Sequence, residues 1–83
     1  MKPIRQQIEE LKREELTEIK KCERARNQAE IWRCRMRIAM NDRFAMMYAE
    51  RAEQCEVTAA RAFKRSQRAI RKWVKLEFGK KVD

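Results

Sequence analysis

Residues 45–76 read AMMYAERAEQCEVTAARAFKRSQRAIRKWVKL. Stepping alternately three and four residues from Ala45 picks out Tyr48, Ala52, Cys55, Ala59, Ala62, Ser66, Ala69, Trp73 and Leu76. All except Ser66 are small or apolar, and no Gly or Pro intervenes. Apolar residues recurring about every 3.5 positions make a helix whose stripe packs lengthwise on another helix.

The same step runs through the preceding residues as Ile8, Leu11, Cys22, Ala25, Ala29, Trp32, Met36 and Ala39. Glu15 and Glu18 interrupt that seam, with Leu16 and Ile19 beside them. Pro3 suits a helix start, where its missing N–H has no partner to lose. The pattern predicts a first helix over residues 4–39 and a turn over 40–43. A second helix follows over 43–77, capped by Gly79, with a basic tail over 78–83 that frays. At the turn, Asn41 is expected to tolerate a left-handed helix end and Asp42 to accept the first N–H groups of the second helix. No Gly or Pro enforces this turn, so one uninterrupted helix is the alternative.

A short turn makes the two helices antiparallel. That pairing lays Glu9, Glu10, Glu14, Glu15 and Glu18 along Arg65, Arg68, Arg71, Lys72 and Lys75, opposite charges that favour it. The fold class expected is therefore all-α, an Ala-rich helical hairpin or coiled coil. The seam alanines allow close helix approach. Trp32, Phe44 and Tyr48 near the turn, and Ile8, Leu11, Trp73 and Leu76 near the termini, plug the two ends. A second apolar strip, Ala49, Ala60, Phe63, Ile70 and Val74, lies beside the second seam. Its expected cover is another copy, giving a homodimeric four-helix bundle anchored by Phe63, Ile70 and Val74. A wide face tucked against the first helix is the alternative.

The chain has 83 residues, read as one domain over 1–83, and 42% of them are charged. A domain of this size buries only roughly 60–65% of its unfolded surface, so a partner chain is expected. One Gly and one Pro argue against hairpin turns and Gly-rich phosphate loops. No run approaches the roughly 20 apolar residues of a membrane span, and no signal peptide is visible, so the expected location is cytoplasmic.

With no histidine, catalytic triads, Cys-His dyads and Glu-x-x-His metal sites are absent. The glutamate pairs have surface spacing and lysine neighbours, which does not suit paired-acid catalysis. The reading is no enzyme, no cofactor, no metal and no small-molecule substrate. Cys22, Cys34 and Cys55 fit no zinc or redox spacing and are taken as small core-filling thiols, with an interchain disulfide as the alternative. The methionines near the turn, Met36, Met40, Met46 and Met47, are read as fillers of an irregular core, with an adaptable partner surface as the alternative.

Charge carries the functional signal. Lys and Arg number 22 against 13 Asp and Glu, a formal net charge of +9. Arg61, Lys64, Arg65, Arg68, Arg71, Lys72 and Lys75 recur at helical spacing, and no acidic residue falls between 57 and 76. Neighbours three and four apart lie roughly 5–6 Å from each other, a spacing able to follow a phosphate backbone. Phe63, Trp73 and Phe78 lie nearby to stack on unpaired bases. A second patch near the turn holds Arg24, Arg26, Arg33, Arg35, Arg37 and Arg43, with Arg26, Arg33, Arg37 and Arg43 as its candidate binding residues. Arginine's planar fork suits phosphate and carboxylate. The expected function is a small basic nucleic-acid-binding regulator, for RNA or DNA. The alternative is an adaptor or inhibitor, of viral or mobile-element type, docking on an acidic protein such as a nucleic-acid-processing enzyme. Binding to a membrane surface is disfavoured, because the alanine-rich stripe offers little apolar area to lipid.

Overall fold

The computed structural model describes residues 2–79. It is an all-helical hairpin of α1, Ile4–Arg37, and α2, Asp42–Phe78, packed against each other. The rod measures 61 × 21 × 16 Å. The uninterrupted-helix alternative is excluded.

The turn comes two residues earlier than the sequence suggests, and it uses different chemistry. α1 ends by tightening: the Ile38 N–H donates to the Cys34 carbonyl and the Ala39 N–H to the Met36 carbonyl, both at 3.3 Å. Asn41 then stands in extended backbone, φ −143° and ψ 160°, where its Oδ1 accepts from the Phe44 N–H at 2.9 Å. Asn41 is therefore the cap of α2, and no left-handed residue occurs among the described residues. Asp42 sits inside the first turn, where its charge complements the helix dipole. At the far end Gly79 is the C-cap as expected, though in right-handed helical geometry; its N–H bonds the Lys75 carbonyl. The expected fraying of the basic tail falls on residues 80–83, outside the described residues. Replacing Asn41 with Ala should cost about 1 kcal/mol. For a domain of this size that lowers the melting temperature by about 4–8 °C, readable by circular dichroism.

The heptad seam on α2 is the packed face throughout. Ala52, Ala59, Ala62, Ser66 and Ala69 are buried, while Ala45, Tyr48, Cys55, Trp73 and Leu76 are half-buried. On α1, Cys22, Ala25 and Ala29 are buried, and Cys22 and Ala25 cluster with Ala59 and Ala62. The core is thus thin in the middle, where alanines meet. The bulk is at the ends. Trp32 stacks on Tyr48 with centroids 5.7 Å apart, and Tyr48 on Phe44 at 6.4 Å. Near the termini the Lys12 ammonium lies 4.7 Å from the Trp73 ring centre. The Trp73 indole N–H is buried with no acceptor among the described residues.

Glu15 and Glu18 do not break the α1 seam. Both stay in register, and Glu18 is buried at 7% exposure, as is Ser66 on α2. Glu18 is held by Arg65 Nη1 and Lys21 Nζ, each 3.5 Å away. Ser66 Oγ donates to the Phe63 carbonyl at 2.6 Å. The core therefore contains a polar layer that simple apolar counting reads as a gap. A buried ion pair contributes little net stability against an apolar residue of similar volume. Glu18→Leu should hold or raise the urea midpoint. A loss above about 2 kcal/mol would show that the ionic layer is a net stabiliser.

Two expectations about the small and soft residues fail. Cys34 is exposed on the outer face of α1, so only Cys22 and the half-buried Cys55 serve the core; all three thiols are free. The turn methionines do not form a core. Met40 is 98% exposed and Met46 66%, beside Ile38 at 78%, and only Met36 is half-buried on the seam. α1 ends at Arg37 and α2 begins at Asp42, so Ile38 and Met40 lie in the turn itself.

Candidate functional site

The hairpin has two unlike flanks. On one flank, partners succeed each other at heptad spacing. Lys12 meets Glu77 at 3.9 Å, Arg33 Nε donates to Glu56 at 2.7 Å, and the Arg26 guanidinium lies 6.0 Å from the Phe63 ring centre. Ile19 and Ile70, both half-buried, occupy the matching register positions between Lys12–Glu77 and Arg26–Phe63. This flank is closed by its own side chains. It also takes up part of the second apolar strip: Ile70 and Val74 are half-buried within the single hairpin, while Phe63 stays about half exposed and Ala60 exposed.

The opposite flank is basic and largely unpaired. α2 projects Arg61, Arg65, Arg68, Lys72 and Lys75 along it, with Lys64 and Arg71 further round the back; all seven are exposed. The expected ladder of ion pairs to α1 is mostly missing. Among the described residues, only Arg65 of these cations reaches an α1 carboxylate, that of Glu18. Glu10 turns instead to Lys2, at 3.1 Å, and Glu9, Glu14 and Glu15 form no ion pair among the described residues. Nor do Arg61, Lys64, Arg68, Arg71, Lys72 or Lys75. Between residues 57 and 76 α2 carries no compensating acid, so its field points outward.

Between the helices on this same flank lies an open groove of about 490 Å³. Its floor includes Ala25 and Ala62, whose short side chains leave the space unfilled, and Cys55 lines it. Lys21, Arg24, Gln28, Gln54, Thr58 and Arg65 complete the lining. Arg65 belongs to both the groove and the cation row. Sequence reasoning missed this groove. The signal lay in the residues just outside the seam, Lys21, Gln28, Thr58 and Arg65, all polar or charged and flanking alanines.

The second arginine patch does not assemble into one site. Arg33 is spent on Glu56 and Arg26 on Phe63. Arg35 lies 4.9 Å from the Trp32 ring centre and Arg51 lies 5.0 Å from it, so Trp32 is flanked by two guanidinium groups. Arg24, Arg37 and Arg43 form no ion pair among the described residues, but Arg24 lines the groove while Arg37 and Arg43 flank the turn. Of the aromatics expected near the main patch, Trp73 is occupied as an end plug with Lys12 over it, and Phe63 and Phe78 remain about half exposed.

Among the described residues no group of three or more His, Cys, Asp and Glu side chains is placed to hold a metal ion, and no helix is long and apolar enough to cross a membrane. Comparison with protein-family models, with curated proteins and with solved structures finds no match.

Proposed function

We propose that this protein is a small non-enzymatic interaction protein that binds nucleic acid through the basic flank of α2. One observation carries the reading: six of the seven cations between Arg61 and Lys75 have no ion-pair partner among the described residues. Cations that merely balanced the α1 glutamates would be paired with them. A row of exposed, unpaired cations at three- and four-residue steps matches the spacing needed to displace counterions from a phosphate backbone. The hairpin supplies rigidity, and the second copy proposed to cover Phe63 and Ala60 would duplicate the basic flank.

Light scattering at moderate salt, with and without a mixed RNA and DNA oligonucleotide pool, tests both parts. The reading expects a dimer whose mass rises with the pool and falls back as salt is added. A species indifferent to the pool contradicts it.

The adaptor or inhibitor reading rests on a different feature, the turn. Ile38, Met40, Phe44 and Met46 are more than half exposed there, with Arg37 and Arg43 beside them. Adaptable apolar side chains ringed by arginine suit a protein cleft with an acidic rim. Met40→Asp should leave oligonucleotide binding intact if the basic flank acts alone.

A further inference from the structure

The groove and the cation row share a flank and share Arg65, and together they specify more than a charge. We infer that the ligand is an unpaired nucleic-acid strand, whose phosphates follow the α2 row while a base settles in the groove. This inference rests on the nucleic-acid reading above and names the ligand class for that site.

Three features of the site point to a single strand. The row Arg61, Arg65, Arg68, Lys72 and Lys75 is continuous, reaching about 21 Å along α2 from Arg61 to Lys75. It can therefore track one backbone along its length. The groove beside it has apolar lining from Ala25 and the half-buried Cys55, with Ala62 buried at its base, against which the flat face of a base can rest. Gln28, Gln54 and Thr58 line the same space with donors and acceptors for base edges. Bases are available for such contact only when unpaired, and proteins reading single strands combine a basic track with surfaces for exposed bases. A duplex shows its base edges only in its grooves. The wider of these is about 12 Å across, and α1 accompanies α2 along its length in a rod 16 Å thick at its narrowest. The hairpin cannot sink into that groove as a lone recognition helix does. Charge complementarity requires that this occupant be an anion. Arg24 and Arg65 stand on opposite walls of the groove, and Glu18, the acid beside it, is already engaged by Arg65 and Lys21.

Cys55 gives the site a built-in reporter. It lines the groove and is half-buried, while Cys22 is buried and Cys34 is exposed elsewhere. In full-length Cys34→Ser protein, maleimide alkylation of Cys55 should slow at least tenfold on saturation with a mixed-sequence single-stranded oligonucleotide. The same strand should bind at least tenfold more tightly than its duplex at equal salt. Thr58→Trp, which fills the groove from an exposed helix position, should remove that preference while duplex binding persists. Equal binding of strand and duplex with Cys55 unprotected would overturn the groove assignment and leave the phosphate row standing. Binding of neither form would overturn the nucleic-acid reading itself.

Discussion

Changing Arg61, Arg68, Lys72 and Lys75 together to glutamine should weaken oligonucleotide binding by roughly a thousandfold. These four side chains are exposed and make no ion pair among the described residues, so their removal leaves no buried charge behind. Glutamine is a good helix former, and helicity should be unchanged. Each cation close to an anionic surface is worth about 1 kcal/mol. Four give about 4 kcal/mol, and 1.4 kcal/mol is a factor of ten in affinity. Arg65 is left in place because it also holds Glu18, and its loss would mix binding with stability. Fluorescence anisotropy with a labelled strand measures the effect, and circular dichroism checks the fold. A variant binding within threefold of the parent would show that these cations only solvate the helix.

The second large effect is on the hairpin itself. Ala52 and Ala69 have 0% and 2% exposure on the packed face of α2, and neither lines the groove. Leucine at either position has no space to occupy unless the helices part. Overpacking of this kind costs about 1–3 kcal/mol per site. The two sites lie about 25 Å apart along α2, far enough for the costs to add. The double change Ala52→Leu with Ala69→Leu should therefore cost about 2–6 kcal/mol, against a total stability of about 5–15 kcal/mol for small domains. A urea unfolding curve should show the midpoint falling steeply or folding lost altogether. An unchanged midpoint would mean that the helices do not approach closely at these alanines.

The part of this molecule written in seven-residue periodicity is legible without coordinates. The α2 seam from Ala45 to Leu76 is buried or half-buried at every position, and the helix pairing is antiparallel as the short turn requires. What periodicity of apolar residues cannot express is a polar residue doing a core residue's work. Glu18 looks like an interruption because its partners, Arg65 and Lys21, come from outside the seam. The turn was misread for a related reason. Asn41 and Asp42 are both competent caps, and only the extended backbone at Asn41 decides between them. The turn methionines look like core filler because methionine suits an irregular core, but Met40 and Met46 stand out at the tip, beyond the packed seam. The seven basic residues of α2 were visible as a face, but whether α1 neutralises them depends on side-chain reach. The glutamates point elsewhere or are taken by neighbours, as Glu10 is by Lys2. The groove was hidden because it is made by what alanine lacks.

If the unpaired α2 cations meet phosphate, salt must weaken single-strand binding, and the steepness of that dependence counts the contacts. Each phosphate contact on a single strand contributes about 0.7 to the slope of log K against log salt. A slope near −3 or steeper in the parent protein is expected, falling by about 3 in magnitude when Arg61, Arg68, Lys72 and Lys75 become glutamine. A slope near zero, or one the four substitutions leave unchanged, would contradict the account.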